Sequence, residues 1–407
     1  MSRVYDYVVV GCGGIGSATV YWLAKKAGNR VLGLEQFNLA HHNGGSQDHS
    51  RIIRLSYNSS DYVQLARGTY EAWAEAERES GIQLVFKTGG LDIAKKGTIG
   101  AQVIENYAQA MDEQNVPYER LEGERVRRKF PQFDATPDWT CLYQKDSGLV
   151  DAAMGNAVHI QLAQKYGATI VENAAVMSLK KRGDLTQVCT SQGDFLCRKV
   201  IVTAGAWMND VLSSVGVKIP LTVTQEQVTY FGTPHMKEFT KDRFPVFSYV
   251  YHDHSIFCVP IHGTSGVKIG IDAAGPEVGP NSRSFTPDPQ REREVIDFLS
   301  RHCKRALGPI LYTKTCLYAM TPDRNFVIDN CRNVGHPNVI FCCGAGHAYK
   351  FAAVLGRILS QLAIDGKTTF NIAPFNMERD AITDPNFPKC FQLGLPEEEL
   401  AKLQAKL

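Results

Sequence analysis

Residues 5–37 read YDYVVVGCGGIGSATVYWLAKKAGNRVLGLEQF, and this stretch decides the fold. A short β-branched run leads into a glycine turn, a helical stretch and a second apolar run, which predicts a βαβ unit. Gly11, Gly13 and Gly16 have the spacing G-x-G-x-x-G, and Glu35 follows Gly11 by 24 residues. The first glycine permits a tight turn, the second lets the backbone approach a pyrophosphate, and the third lets helix and strand pack closely.

This unit predicts dinucleotide binding. The helix N-terminus presents N–H groups and a positive dipole end to phosphates, and Glu35 can accept hydrogen bonds from ribose hydroxyls. An acid at this position repels the 2′-phosphate of NADP, so FAD or NAD remains. A chance glycine turn is the alternative, but the flanking strand, helix and acid argue against it.

Two later segments have the same order of strand, glycine turn and helix: 198–212 (RKVIVTAGAWMNDVL) and 338–363. Such junctions bring the backbone close to a ligand at the carboxyl ends of parallel strands. Residues 61–79 have apolar side chains at helical spacing and predict a surface-packed helix. We therefore expect one nucleotide-binding sheet that is assembled from distant segments.

The intervening segments are rich in aromatic and β-branched residues, and their alternation predicts a mainly antiparallel sheet. The expected fold class is α/β, with a discontinuous Rossmann-like domain, a second α+β substrate domain and the active site between them. The predicted ranges are 1–85, 149–222 and 318–381 for the nucleotide-binding domain, 86–148 and 223–317 for the substrate domain, and 382–407 for a C-terminal tail.

Composition favours a small-molecule partner. The chain has 407 residues, 44% of them hydrophobic, and a formal charge of +2, which suits two packed domains and gives no attraction to nucleic acid or acidic membranes. No apolar run is long enough to span a membrane. The eleven cysteines lack the paired C-x-x-C spacing of zinc sites and are expected to be reduced thiols.

The last three residues, Ala405-Lys406-Leu407, resemble the peroxisomal address whose best-known form is S-K-L. They predict recognition by the peroxisomal import receptor and a peroxisomal location, with the cytoplasm as the location otherwise. The alternative is a polar, frayed helix end, which the sequence PEEELAKLQAKL also permits.

Across nearly its whole length the chain resembles the monomeric sarcosine oxidase family. The resemblance is carried, in family order, by GCGGIG (11–16), NGGSQDHSRIIRLSY (43–57), VTAGAW (202–207), KTCLYAMTPDRNFVID (314–329) and GAGHAYKF (344–351). It implies a glutathione-reductase-like FAD-binding domain, a monomer, and oxidation of secondary amines that bear a carboxylate. Oxygen would be the acceptor, and an imine and H₂O₂ would be the products.

The resemblance also implies a covalent cofactor. Cys316 matches the cysteine that forms a thioether to the 8α carbon of the flavin, which would prevent the cofactor from dissociating. A buried structural thiol is the alternative. Further FAD contacts are expected from the glycine turn, Gly11, Gly13 and Gly16. They are also expected from Ile15, Glu35, Gln36, Ser50, Arg51, Val176, Gly344, Gly346 and Lys350.

Substrate and catalytic roles follow from the same resemblance. Arg54 and Lys350 match the two ligands of the substrate carboxylate, and Arg51 matches a cation near the flavin face. Lys268 matches the lysine that promotes the reaction with oxygen, for which a fixed positive charge is suited. From spacing alone, Arg51 and Arg54 lie on one side of a short helical or turn segment, or are surface arginines. Lys268 alone could be a surface lysine that buries only its stem.

Two positions depart from the sarcosine oxidase pattern. Phe257 replaces a tyrosine, and Asp272 replaces a histidine. Asp272 could pair with a cationic or N–H-bearing substrate tail, as in a similar piperideine-carboxylate oxidase, or it could cap a turn. These changes make sarcosine itself a doubtful substrate, so L-pipecolate, another N-alkyl amino acid or a bulkier lysine-derived amino acid stays open.

Tyr318 is expected beside the reacting centre, and His347 is expected to contact flavin or substrate or only to pack. His41, His42, His252 and His254 come close to metal-ligand spacing, but no carboxylate-histidine cluster accompanies them and no metal is predicted. Two rival functions remain: a flavin dehydrogenase that passes electrons to a carrier, against which Lys268 argues, and a nicotinamide or non-catalytic nucleotide-binding protein, against which Cys316 argues.

Overall fold

The computed structural model of the protein describes residues 3–391. None of the helices in this range is both long and apolar enough to cross a membrane. The expected C-terminal address, Ala405-Lys406-Leu407, lies outside the described residues.

The chain alternates strands and helices. In chain order the strands are β1 (Val4–Val10), β2 (Val31–Leu34), β3 (Ser50–Ile53), β4 (Val85–Lys87), β5 (Gly90–Lys95), β6 (Glu119–Glu122), β7 (Trp139–Gln144), β8 (Gly148–Asp151), β9 (Thr169–Val171), β10 (Val176–Arg182), β11 (Leu185–Thr190), β12 (Gly193–Val202), β13 (Thr222–Phe231), β14 (Val246–Val250), β15 (Ser255–Val259), β16 (Val267–Asp272), β17 (Ile310–Met320), β18 (Val327–Cys331) and β19 (His336–Cys343). The helices are α1 (Gly14–Ala27), α2 (Ser60–Ser80), α3 (Ile99–Glu113), α4 (Gly123–Lys129), α5 (Ala152–Lys165), α6 (Met208–Leu212), α7 (Pro289–His302), α8 (Ala352–Asp365) and α9 (Asp380–Thr383).

The first sheet contains the predicted βαβ unit. Its parallel strands lie in the order β9, β2, β1, β12 and β19, while β10, β11 and β18 add antiparallel pairs. In this register Val10 lies opposite both Leu34 and Val202, so the carboxyl ends of three strands meet at one edge. Helices α1, α5 and α8 pack together beside the sheet. Strand β2 and the carboxyl-terminal halves of β1, β12 and β19 are buried between two apolar layers, as is typical of parallel sheets.

The second sheet has the order β17, β13, β16, β15, β14, β5, β7 and β6, and all its pairs are antiparallel except β14 with β5. Helix α7 closes one face, where Val295, Phe298 and Leu299 join the apolar core. The expected fold class is therefore confirmed: a parallel, nucleotide-binding type of sheet accompanies a mainly antiparallel one. Strand β17 runs across the predicted domain boundary between residues 317 and 318, and the boundaries stay predictions.

A small third sheet, in the order β3, β8 and β4, carries the arginine segment. Arg51 lies in β3, which pairs antiparallel with β8, and Arg54 directly follows this strand. The expectation of a helical or turn segment here is wrong, because the backbone of residues 50–53 is hydrogen-bonded to Gly148–Asp151 instead of to itself. The two guanidinium groups consequently have different partners.

Candidate active site

A cavity of about 710 Å³ connects the glycine turn of the first sheet with one face of the second. This volume lies in the range of small-molecule and cofactor sites. Its wall includes the following predicted site residues: Gly11, Gly13, Ile15, Glu35, Gln36, Arg51, Arg54, Val176, Phe257, Lys268, Asp272, Cys316, Tyr318, Gly344, Gly346, His347 and Lys350. Gly16 and Ser50, which were also predicted, are not part of the wall.

The glycine turn has the close contacts that its spacing predicts. Gly11 has φ +88°, and a Cβ on it would lie 2.8 Å from the carbonyl oxygen of Thr203. A Cβ on Gly16 would lie 1.7 Å from the carbonyl oxygen of Gly11, so the start of α1 packs directly on the turn. Gly13 and Gly14 border the cavity at the N-terminus of α1. Backbone N–H groups and a positive dipole end are thus available to a phosphate.

Glu35 lies at the end of β2 and is 4% exposed. Its carboxylate accepts hydrogen bonds from the backbone N–H groups of Cys12 (2.9 Å) and Phe37 (3.1 Å), which fix it beside the cavity. The glycine turn, the helix N-terminus and this acid form the set of groups that bind the pyrophosphate and ribose of a dinucleotide. The residues present therefore fit FAD.

Cys316 lies in β17 directly opposite Glu226 of β13. All eleven cysteines are within the described residues, and Cys316 is partly exposed whereas the other ten are buried. Burial raises the pKa of the Cys316 thiol, and the nearby Arg51 guanidinium opposes this shift. Of the cysteines on the cavity wall, which are Cys12, Cys316 and Cys342, Cys316 is thus the partly exposed one, and it has a cation close by.

Lys268 is buried and does not lie at the surface, so the surface-lysine interpretation is wrong. It is 2% exposed, and its Nζ donates to Oδ2 of Asp48 at 2.5 Å and to the carbonyl of Ser50 at 2.7 Å. Burial lowers the pKa of Lys268 to about 8, although Asp48 opposes the shift. Arg51 donates to the same Asp48 oxygen at 2.9 Å and to the carbonyl of Gly45 at 3.0 Å.

Arg54 is held from behind the cavity wall. Its Nη1 donates to Oδ1 of Asp92 at 2.6 Å, and its guanidinium lies over the rings of Tyr57 and Tyr107 at 5.4 and 5.3 Å. Lys350 comes from a short turn before α8 and has no ion pair among residues 3–391. Burial lowers the pKa of Lys350 to about 7, and the positive charge of Arg54 is the second largest cause of this shift.

Asp272 ends β16 and is bound by a cation of the protein. The guanidinium of Arg324 lies 2.8 Å from Oδ2 and 2.9 Å from Oδ1 of its carboxylate. Burial alone would raise the pKa of Asp272, but Arg324 holds it below the ordinary value. The turn-capping alternative lacks support, because no hydrogen bond from a following backbone N–H to this carboxylate is present in residues 3–391.

Three further predicted residues lie on the cavity wall. Phe257 is in β15 and faces the same cavity as Asp272. Tyr318 packs against Gly346, whose Cβ would lie 2.7 Å from the tyrosine ring. His347 Nε2 lies 2.9 Å from the carbonyl oxygen of Arg324, and burial lowers its pKa to about 3, so this imidazole is neutral.

The four histidines with near-metal-ligand spacing lie in two separate parts of the fold. His252 and His254 flank Asp253 in a turn between β14 and β15, whereas His41 lies 3.3 Å from Glu35 in the first sheet. Within residues 3–391 no group of three or more His, Cys, Asp or Glu side chains is arranged to hold a metal ion.

Sequence reasoning missed three carboxylate or guanidinium groups that hold predicted site residues: Asp48, Asp92 and Arg324. Asp92 lies in the apolar run GGLDIA, so it interrupts a buried strand in the same way as Lys268 does. A charged residue inside an apolar run is a sequence signal that could have identified Asp92. Asp48 and Arg324 lie within the motifs SQDHSR and TPDRNF but carry no signal of their own. Two of the residues that they bind, Lys268 and Asp272, lie 220 and 52 residues away along the chain.

Comparisons with known proteins identify the family. The family model for FAD dependent oxidoreductases (DAO) matches residues 6–362. Monomeric sarcosine oxidase from Arthrobacter sp. (strain TE1826) is 31% identical over 389 residues, which cover 94% of this chain and 98% of that protein. N-methyl-L-tryptophan oxidase from Escherichia coli (strain K12 / DH10B) is 26% identical over 380 residues, with 92% and 99% covered.

A solved structure has the same fold. NikD, an unusual amino acid oxidase essential for nikkomycin biosynthesis, superimposes with a TM-score of 0.82 at 25% identity and covers 92% of this chain and 98% of its own. The resemblance to the monomeric sarcosine oxidase family is thereby confirmed. Because the family model spans most of the chain and the glycine turn fits the cofactor, this protein belongs to the DAO family of FAD-dependent oxidoreductases.

Proposed function

We propose that the protein is an FAD-dependent oxidase of secondary α-amino acids, such as N-methyl amino acids or L-pipecolate, with O₂ as acceptor. The observation that carries the proposal is the presence of Arg54 and Lys350 on the wall of the cavity that contains the glycine turn and Cys316. The names of the two oxidases reported above support it, since sarcosine and N-methyl-L-tryptophan are both N-methyl amino acids.

The substrate carboxylate binds to Arg54 and Lys350. Charge-assisted hydrogen bonds from two cations fix its position and so direct the α-carbon, which accounts for a preference for amino acids over simple amines. The guanidinium of Arg54 needs little rearrangement, because Asp92 and the rings of Tyr57 and Tyr107 already hold it. The site is therefore largely formed before the substrate arrives.

The substrate amine reacts in its neutral form. Arg51, Arg54 and Lys350 are cationic or partly cationic, so they disfavour an ammonium group nearby and lower its pKa. This reduces the need for a general base, and we assign none. His347 is neutral and lies against the backbone of residue 324, where it positions the neighbouring turn.

FAD, when bound, supplies the two-electron oxidation of the C–H bond next to the amine and transfers the electrons to O₂, which gives H₂O₂. The glycine turn, Glu35, Gln36, Val176, Gly344 and Gly346 would hold the cofactor, and Cys316 would supply the thiol for a covalent link to its 8α carbon. Formation of such a thioether would remove one hydrogen from Sγ and one from the flavin methyl group, with dioxygen as the two-electron acceptor. Ser50 contributes through its carbonyl, which accepts from Lys268.

Lys268 supports the reaction with oxygen. Its ammonium group provides a positive charge in a buried position, where charge that develops on reduced oxygen is stabilised more strongly than in water. The charge is present below pH of about 8, the pKa that burial gives to this lysine. This favours an oxidase over a dehydrogenase that needs a carrier.

The preferred substrate is larger than sarcosine. Phe257 supplies an apolar ring in place of a tyrosine hydroxyl, and Asp272 is neutralised by Arg324 and so offers little attraction to a cationic tail. An apolar, ring-containing amino acid such as L-pipecolate suits this wall better than a substrate with a second charge.

A monomeric enzyme is supported by the similarity to monomeric sarcosine oxidase. A peroxisomal location, reached through the import receptor and Ala405-Lys406-Leu407, would place H₂O₂ production beside catalase. A fluorescent fusion with and without these three residues tests this location. Equal distribution of both fusions would contradict it.

The test of function is anaerobic bleaching of the flavin by a panel of secondary amino acids, followed by admission of oxygen. We expect bleaching by L-pipecolate and N-methyl amino acids, recovery of the yellow colour in air and one H₂O₂ for each substrate oxidised. Piperidine, which has the same ring as pipecolate but no carboxylate, is the matched control and should bleach far more slowly. If no carboxylated amine bleaches the flavin, the proposed substrate class is wrong.

A further inference from the structure

Asp48 is a buried carboxylate that joins two predicted site cations. It is 4% exposed, and its Oδ2 accepts hydrogen bonds from Lys268 at 2.5 Å and from Arg51 at 2.9 Å. Its Oδ1 accepts from the hydroxyl of Tyr230 at 2.6 Å, and Lys314 lies 3.9 Å away. Both oxygens are thus fully engaged.

The strand register explains why these donors converge. Lys268 of β16 and Tyr230 of β13 lie directly opposite each other in the antiparallel pair, so their side chains emerge on the same face of the second sheet. Asp48 comes from the segment that leads into β3 and lies over this pair. Its carboxylate therefore connects the second sheet with the segment that carries Arg51.

The position of the Lys268 ammonium group is determined by two acceptors. A lysine ammonium has three N–H donors, and Asp48 and the carbonyl of Ser50 take two of them. Lys268 also lines the cavity, so one donor is left for a molecule inside it. A buried lysine without a counter-charge tends to lose its proton, which would abolish its positive charge.

We propose that Asp48 is a positioning residue for oxygen reduction, which keeps the ammonium group of Lys268 charged and fixed at the cavity wall. The proposal rests on the proposed role of Lys268 in the reaction with oxygen. Asp48 itself does not touch substrate in this account, and it acts through Lys268 and Arg51.

A pH effect follows from this arrangement. Asp48 opposes the lowering of the Lys268 pKa by burial, whereas Arg51 adds to the lowering. Rapid reaction with oxygen should therefore persist below pH of about 8 and decline as Lys268 loses its proton. The charged and titratable groups that face this cluster are Arg51, Lys314, Cys316, Tyr230, His42 and His49.

The kinetic test uses the holoenzyme reduced with dithionite and mixed with oxygenated buffer between pH 6 and 9, so no amine substrate is needed. For Asp48→Asn we expect the midpoint of the pH profile to move down by about one unit or more and reoxidation at pH 8 to slow about fivefold or more. Lys268→Met should be slow at every pH. Asp323→Asn is the matched control, because it breaks a 2.7 Å pair with Arg379 that lies outside the cavity wall, and it should keep the native profile.

A second measurement does not depend on activity. Unfolding by urea is compared for the native chain, Asp48→Asn, Lys268→Met and the double variant. Asp48→Asn should lower the free energy of unfolding far more in the native chain than in the Lys268→Met chain. Only in the native chain does it leave the buried Lys268 ammonium group without its carboxylate. If Asp48→Asn fails to fold while the double variant folds, this coupling is demonstrated as well.

Two outcomes overturn the proposal. The first is an Asp48→Asn enzyme whose reoxidation rate and pH midpoint both match the native enzyme. The second is an equal loss of stability in both backgrounds, which would make Asp48 a general structural residue. Failure of the proposed substrate class is distinguishable, because it shows only when amines are added and leaves reoxidation after dithionite unaffected.

Discussion

The guanidinium of Arg54 lies 2.6 Å from the carboxylate of Asp92, so the expected substrate ligand already has an anionic partner inside the protein. Arg324 and Asp272 form a second such pair at 2.8 Å. Lys350 has no ion pair within residues 3–391, and it shares the cavity wall with Arg54 and Asp272. These five groups together carry one positive charge when Lys350 is protonated, which one substrate carboxylate balances.

Replacement of Arg54 should weaken substrate binding through two effects. Arg54→Met loses charge-assisted hydrogen bonds worth about 1.5–3 kcal/mol, so KM for N-methyl amino acids should rise about 10- to 100-fold. It also leaves Asp92 without its cation. The double variant Arg54→Met, Asp92→Asn should therefore bind better than Arg54→Met alone in steady-state assays. A double variant that binds no better would show that Asp92 has no electrostatic effect on the site.

Binding of a carboxylate without an amine, such as propionate, should depend on pH through Lys350. Burial lowers the pKa of Lys350 to about 7, and a bound carboxylate raises it. The Kd of propionate should thus be constant below pH 7 and increase above it, by at most about tenfold per pH unit. Titration calorimetry of the native enzyme and of Lys350→Met measures this, and the variant should show a flat profile. The same slope in both proteins would mean that another group titrates.

Loss of the Asp272 charge should change substrate preference. Asp272→Asn leaves the Arg324 guanidinium without its carboxylate, so positive charge appears behind this part of the wall. The ratio of kcat/KM for N-methylaspartate to that for sarcosine should increase about tenfold, which is about 1.4 kcal/mol of added attraction for the second carboxylate. Asp323→Asn is the control, since Asp323 pairs with Arg379 and lies outside the wall. An unchanged ratio in Asp272→Asn would remove Asp272 from specificity.

Two glycines of the turn should differ in their roles. Gly16→Ala places a methyl group 1.7 Å from the carbonyl oxygen of Gly11, and overpacking of this kind costs about 1–3 kcal/mol or more. Gly13→Ala meets only the hydroxyl of Ser46 at 2.9 Å, which can rotate away. Thermal unfolding of the apoproteins should show a clear loss for Gly16→Ala and a small one for Gly13→Ala. The purified Gly13→Ala protein should instead contain less FAD than the native protein. Equal flavin content in the two proteins would contradict this.

The sequence predicted the elements that have local signals. The βαβ unit, the helix over 61–79 and the two later strand, glycine and helix segments all appear, because apolar periodicity and glycine spacing are properties of neighbouring residues. The segment of Arg51 and Arg54 was predicted as a helix or turn and is a strand. Its conformation depends on pairing with Gly148–Asp151, and such a distant partner leaves no mark on four residues.

The candidate site was predictable in part for the same reason. Motifs and the family resemblance identified the groups on the cavity wall, such as Lys268 and Asp272, but gave no information on what lies behind them. Lys268 was expected to be surface-exposed or catalytic, and it is buried with its ammonium group bound to Asp48. Asp272 was expected to be available to substrate, and it is paired with Arg324. These partners are selected by tertiary packing, which spacing along the chain does not report.

The covalent bond between Cys316 and FAD is the central claim, and acid precipitation of the purified protein tests it most directly. A native pellet that stays yellow, with a flavin-bearing peptide that contains Cys316 after digestion, is the predicted result. The pellet of Cys316→Ser should be colourless, with intact FAD in the supernatant. Cys390→Ser, which changes a buried cysteine outside the cavity wall, is the control and should keep its colour. Release of intact FAD from the native protein would contradict the account.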